Sequence, residues 1–314
     1  MLSSTYCFTA VRVRNQEILP FAGLLRNSLK EVAMEKAIAK FARENYLNLP
    51  VRLTPAASKV SLFPAVYVSI RNYKNLNYMS KTGPEMKAKD LLHGVWSDDV
   101  DSDKPTLSGF SSASLMSVYA GQGSPAEISF VLQLVAHYAA KKKIKYFTIS
   151  PEVGSQLQWY CDQFIGLCCL GFVSNCANKL LKTTGFRKDS VTGYDMLVKP
   201  SAPSNLLSRL KEIEETDNIA YMAMIYCVET KKDGKILTRG PGLHAMMIDS
   251  VKVQKGVRCV EVVESLGEGS NTGLRFSKLD ILSADEKNRI FQCQRLDPVV
   301  SNMYPRVYIR NLSL

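Results

Sequence analysis

Four residue types in one chain order could together perform acyl transfer: an amide, a thiol, an imidazole and a carboxylate, here Gln163, Cys169, His244 and Glu264. The apolar positions Cys169, Phe172, Val173, Cys176, Ala177 and Leu180 recur at helical spacing, which puts Cys169 at the start of a helix. A thiol there feels unpaired backbone N–H groups and the positive end of the helix dipole, and both favour thiolate. An imidazole that shares its proton makes it a nucleophile, and a third group must hold that imidazole in the useful tautomer. A side-chain amide beside the thiolate can complete an oxyanion hole. Cys168 offers an alternate thiol and Glu261 an alternate carboxylate. Taken singly, each residue has an ordinary explanation: a small buried hydrophobe, a satisfied core histidine, a strand-end carboxylate and a surface amide. Their order and the elements that carry them point to catalysis.

The pattern resembles the papain-like cysteine peptidases. In that family a Gln stands six residues before the nucleophile, which is followed by two residues and a Phe. Gln163, Cys169 and Phe172 have both spacings. The family's His opens a strand as His-Ala and aliphatics, and His244-Ala245-Met246-Met247-Ile248 is similar. Its orienting residue ends the next strand before Ser-x-Gly, as Glu264-Ser265-Leu266-Gly267 does here, with Glu in place of Asn. Leu170 stands where the family usually has Trp. The resemblance covers about Gln163 to Gly267, and its short Cys-to-His gap is similar to compact relatives such as bacterial type III effector proteases. It implies an α+β fold with a papain-like catalytic domain over 151–314 and a mixed α/β N-terminal region over 1–150, a substrate-binding lobe or part of the same fold. It also implies a cysteine protease acting on a protein, with glutamine deamidation or transglutamination as alternative outcomes. An effector of that kind would act inside a host cell, delivered by a type III-like route.

Hairpin register tests the acid independently. With a three-residue turn Gln254-Lys255-Gly256, Val253 lies opposite Val257 and Met246 opposite Glu264, so His244 is Glu264's diagonal neighbour on one face. A two-residue turn Lys255-Gly256 would point Glu264 away and favour Glu261. Glycine at the third turn position favours the first register. Asp249 falls on the wrong face either way. A reversed order, His244, Glu264 then Cys293, resembles the ubiquitin-like-protein peptidases, but Gln292 directly precedes Cys293, at an expected helix end.

The elements that must position these residues are legible in outline. An amphipathic helix is expected over Leu24–Tyr46 and an alternating strand over Val60–Ile70. The stretch Asn75–Ser124 is rich in Gly, Ser, Asp and Pro and reads as loops with a boundary inside it. Ser124-Pro125-Ala126-Glu127 opens a helix to about Lys143, followed by a strand over Ile144–Ile149. The helix from Cys169 ends near Thr184-Gly185. A linker with Pro200 and Pro203 follows, then a short helix from Ser204 to Glu215, a strand over Ile219–Val228 and the hairpin Leu243–Val253 with Val257–Glu264. Ser283-Ala284-Asp285-Glu286 resembles a capping box opening a helix to Cys293, and Arg306–Ile309 is a last strand. Without βαβ repetition, α+β is favoured over a doubly wound sheet.

Composition bounds the function class. The 314 residues, 46% hydrophobic and 22% charged, suffice for one large domain or two ordinary ones. The longest apolar helix-like run, Ile128–Ala140, carries Ser129, Gln133 and His137 and falls short of the roughly 20 residues a bilayer requires, so no transmembrane segment is expected. Met1–Arg14 lacks the features of a secretory signal, so an intracellular site of action is expected. Eight cysteines in a chain with that expectation read as reduced thiols. Only three histidines and no CxxC pair leave little for a metal, and no cofactor is called for. His137 reads as a helix-face residue and His93 as a loop residue near Trp96. The net charge of +11 is concentrated before residue 150, with 19 basic and 11 acidic residues there. The run Lys141, Lys142, Lys143 and Lys145 suits an anionic surface, which keeps open a different class: a non-catalytic protein that binds membrane or nucleic acid.

Overall fold

The computed structural model describes residues 37–54, 65–74, 80–97, 104–142, 153–183, 206–215, 221–232, 235–239, 244–267, 273–296 and 303–312. The architecture is mixed α+β as expected, but the structure does not show the papain-like arrangement expected over 151–314, where the strands instead form one antiparallel sheet that closes on itself. In chain order come α1 (Ala37–Ala42, continued as a π-turn Arg43–Leu47), β1 (Leu49–Arg52), β2 (Ala65–Val68), α2 (Pro84–Ser97), α3 (Ser112–Tyr119), α4 (Pro125–Lys142), α5 (Val153–Phe164), α6 (Cys169–Leu180) and α7 (Leu210–Glu215). Then follow β3 (Tyr221–Lys232), β4 (Lys235–Arg239), β5 (His244–Gln254), β6 (Val257–Leu266), β7 (Gly273–Asp285), β8 (Ile290–Arg295) and β9 (Met303–Asn311). The small hairpin β1–β2 stands apart from a seven-stranded antiparallel sheet. Because β9 pairs back onto β3, six of those strands close on themselves as a barrel and β4 hangs from β3.

Period-two alternation divides the barrel residues between two cores. Met246, Ile248, Val260, Val262, Leu279, Ile281, Phe291, Cys293, Val307 and Ile309 fill the interior, where Leu207 and Ile213 join them. Ala245, Met247 and Val263 point outward into a second core with Ile38, Tyr46, Leu115, Leu134, Leu157 and Phe172. That outer core draws residues from both sides of position 150. Tyr46 stacks edge-on against Phe172 at 6.0 Å, and Tyr119 and Tyr160 share a buried 2.6 Å hydrogen bond. No described helix is long and apolar enough to cross a membrane.

Several expectations change. The supposed loop stretch Asn75–Ser124 contains α2 and α3: Pro84 starts the first, and Ser111 Oγ accepts the Ser114 N–H at the second. Their buried faces are short, Leu92 in one and Leu115, Val118 and Tyr119 in the other, so no long apolar period marks them. The expected helix Ser283–Cys293 is instead the β7–β8 hairpin. Asp285 accepts the Asn288 backbone N–H at 3.1 Å and its side-chain amide at 2.7 Å, which closes a turn rather than capping a helix. Cys293 therefore lies on a strand inside the barrel. The box at α4 forms as expected, with the Ser124 N–H donating to Glu127 at 2.7 Å and the Glu127 N–H to Ser124 Oγ at 3.3 Å. His137 is buried on α4, 3.0 Å from Thr54 Oγ1, and His93 lies on α2 rather than a loop, 3.1 Å from Ser112 Oγ. The helix from Cys169 stops at Leu180, and Lys182 takes a φ of 51° just beyond it. Expected elements over Ile144–Ile149 and at Ser204, together with Lys143 and Lys145, lie outside the described residues. Lys141 is exposed at the end of α4.

Candidate active site

The β5–β6 hairpin decides whether imidazole and carboxylate meet. Its turn is Lys255-Gly256, with φ of 51° and 80°, the two-residue type I′ geometry. The three-residue turn favoured from sequence is therefore replaced, and Gln254 pairs with Val257. Continued to the strand ends, that register would turn Glu264 away from His244. A β-bulge between Ile248 and Ser250 shifts the pairing by one residue, so Met246 faces Glu264 after all. The extra residue is Asp249, whose carboxylate leaves the ladder and accepts the Ile38 and Ala39 N–H groups at 3.1 and 2.9 Å. Glu261, the alternate acid, points elsewhere, to Ser250 Oγ at 2.9 Å, Lys278 Nζ at 3.1 Å and Lys252 Nζ at 3.3 Å.

His244 opens β5 on the inward-facing parity, and its Nε2–H donates to Glu264 Oε2 at 2.7 Å. The same ring is in hydrogen-bond contact with the Cys169 side chain. With Nε2 engaged by the carboxylate, Nδ1 is the nitrogen left for the thiol. Burial opposes a charge on His244, but the contacts with Cys169 and Glu264 outweigh it and raise its pKa from the usual 6.5 to about 9. That upward shift favours the imidazolium at neutral pH. That is the charge a thiolate at the first position of α6 would be paired with.

Glu264 is fully buried at the same end of the barrel. Arg295 grips it with two parallel hydrogen bonds of 2.7 Å, Ser277 Oγ donates to Oε1 at 2.6 Å, and Arg275 Nε lies 3.3 Å from the same oxygen. Burial alone would raise its pKa. The bonds from Arg295 and His244 prevail and hold it well below the usual carboxylate range. Sequence reasoning missed Arg275, Ser277 and Arg295. Their signal is positional: Arg275 pairs with Glu264 and Ser277 with Val262 on β7, while Arg295 shares the parity of Phe291 and Cys293 on β8.

The segment leading into Cys169 is clamped from three sides. Leu167 N–H donates to Asn72 O at 2.9 Å, its carbonyl accepts Ser265 Oγ at 2.7 Å and Lys74 N–H at 3.3 Å, and Cys168 N–H donates to Gly121 O at 2.8 Å. Tyr73 packs on Cys168, Cys169 and Leu170. This closeness requires Gly121: its φ is +77°, and a Cβ there would meet Lys74 O and Cys168 N. Cys168 is the cap of α6, its Sγ accepting the Gly171 N–H at 3.1 Å. Burial and the neighbouring Cys169 push its pKa up to about 12, which disfavours a thiolate there. Burial raises Cys293 to about 12 as well, and its side chain packs into the barrel core with Phe291, which disfavours the reversed order. Gln163 is exposed near the end of α5, with its backbone carbonyl accepting Lys74 Nζ at 3.1 Å.

No family model, curated protein or solved structure matches this chain. The site therefore stands on its own geometry: a thiol at a helix start, an imidazole touching it, and a buried carboxylate behind the imidazole. Among the described residues no cluster of three or more His, Cys, Asp or Glu side chains is arranged to hold a metal ion.

Proposed function

We propose that this protein is a thiol-dependent acyl-transfer enzyme, a cysteine protease acting on a protein substrate, with the site similar to that of the papain-like peptidases. The observation that carries the reading is one imidazole held at 2.7 Å by a buried carboxylate while contacting the thiol at the first position of α6. In the mechanism, the Cys169 thiolate adds to the scissile carbonyl carbon and the oxygen takes the negative charge. The Cys169 backbone N–H at the helix start stabilises that oxyanion, and the Gln163 amide is the second donor of the proposal. Collapse breaks the C–N bond as the His244 imidazolium gives its proton to the leaving amine. Water, deprotonated by His244, then cleaves the thioester to a carboxylate and regenerates the pair. Glu264 holds the ring and its tautomer throughout.

The same steps on a glutamine side chain release ammonia, and an amine in place of water gives transglutamination. The substrate therefore decides the reaction name. By analogy with compact effector proteases, the substrate is a protein of a host cell. The test is incubation with a proteome-derived peptide library, read by mass spectrometry, for the parent and Cys169→Ala. New termini that vanish in the variant support the protease, and conversion of Gln to Glu without new termini supports the deamidase. Neither change in the parent, with Cys169 alkylated no faster than the partly exposed Cys259, overturns the proposal.

A further inference from the structure

The carboxylate behind the imidazole differs from the amide usual in the resembled family, and a buried carboxylate needs more support than an amide. Its surroundings supply it from both flanking strands and the one beyond: His244 on β5, Arg275 and Ser277 on β7, and Arg295 on β8. Arg295 is itself only 2% exposed and reaches the site from the last residue of β8. Its fork binds both oxygens of Glu264, including Oε2, the one His244 uses. The carboxylate plane is therefore fixed by Arg295, and the direction in which Oε2 faces the imidazole is fixed with it.

We propose that Arg295, backed by Ser277, is the positioning residue of this site, setting Glu264's orientation toward His244 and keeping it charged there. The proposal rests on the functional reading above and deepens it. Without the fork, the buried carboxylate would take up a proton as the pH falls, while it is still needed as the counter-ion of the imidazolium. The thiolate–imidazolium pair would then collapse to neutral thiol and imidazole at a higher pH than in the parent. Arg295 thus sets the acidic limit of the site by acting through Glu264.

The test is the rate of iodoacetamide labelling at each cysteine, mapped by mass spectrometry from pH 3.5 to 9. It compares the parent with Arg295→Met, Arg295→Lys and Ser277→Ala, each checked by thermal melting. The acidic limb of Cys169 labelling is expected to move up by about 1–3 pH units in Arg295→Met. Arg295→Lys, which keeps a charge without the fork, and Ser277→Ala, which loses the 2.6 Å bond, should move it less in the same direction. A uniform fall in rate with the limb unmoved makes Arg295 merely structural and overturns the inference. Should Arg295→Met fail to fold, an unmoved limb in both conservative variants does the same. A parent Cys169 with no advantage over Cys259 sinks the functional reading instead, so the two failures are distinguishable.

Discussion

Replacing Glu264 by Gln removes the charge behind His244 while keeping a side chain of similar shape. In the parent the imidazole is carried from 6.5 to about 9 against burial, by Cys169 and Glu264 together. Losing the carboxylate should lower it by at least about one unit, a tenfold loss of imidazolium on the alkaline side. With only three histidines in the chain, ring-labelled NMR can follow each of them, and His244→Gln assigns the third signal. The parent's His244 signal should titrate with a midpoint near 9 and that of Glu264→Gln below about 8. Stability follows with defined signs. A raised histidine pKa contributes stability that is full below about 6.5 and lost as pH rises through about 9. A depressed Glu264 contributes above its unfolded value and is lost as pH falls through the folded one. Glu264→Gln should therefore lower Tm most between those limits. The loss is about 3–5 kcal/mol, because Arg295 is left buried without its counter-charge. A parent His244 that titrates near 6.5, or one indifferent to Glu264→Gln, would refute the reasoning.

Gln163→Ala should leave Tm and the rate of Cys169 alkylation unchanged but cut substrate turnover about 10²-fold, since only the transition state needs the oxyanion donor. Unchanged turnover removes Gln163 from the mechanism. Ser265→Ala deletes the 2.7 Å bond to Leu167 O two residues before Cys169 and should cost about 1 kcal/mol by denaturant unfolding, with slower Cys169 alkylation. Equal alkylation would show that Ser265 does not hold the nucleophile segment. Gly121→Ala meets both a positive φ and the close approach of Lys74 O, so a loss above about 1 kcal/mol is expected in the same measurement. Parent-like stability would rule out the tight clamp described here.

The barrel was legible where each strand carries its own pattern. His244–Gln254 and Val257–Leu266 are aliphatic-rich runs joined by Lys-Gly, so the expected hairpin lies within two residues of its bounds. The β7–β8 hairpin was misread because Ser283-Ala284-Asp285-Glu286 carries cap chemistry, and a side chain that caps a helix also closes a turn. What separates the two is the period-two run Phe291, Cys293 and Arg295, a tertiary pattern that shows only once the barrel gives it an inside. Closure itself depends on β9 meeting β3, a pairing of residues from 73 to 90 positions apart that no local window contains.

The candidate site shows the same division more sharply. Cys169, His244 and Glu264 were identifiable because each sits at an element end that local chemistry defines. The sequence reading nevertheless reached the correct facing pair through an incorrect turn. The two-residue turn alone would have placed Glu264 on the far face, and one extra residue at Asp249 restores it. A bulge is invisible to alternation, since it looks like one ordinary residue. Here it is stabilised by a contact from another part of the chain, the Ile38 and Ala39 N–H groups held by Asp249. Thus α1, far from the site in sequence, helps to set the register that brings the acid to the imidazole. The clamp on the carboxylate was equally out of reach, because an arginine at a strand end reads as solvated until barrel closure brings it to a buried Glu264 two strands away.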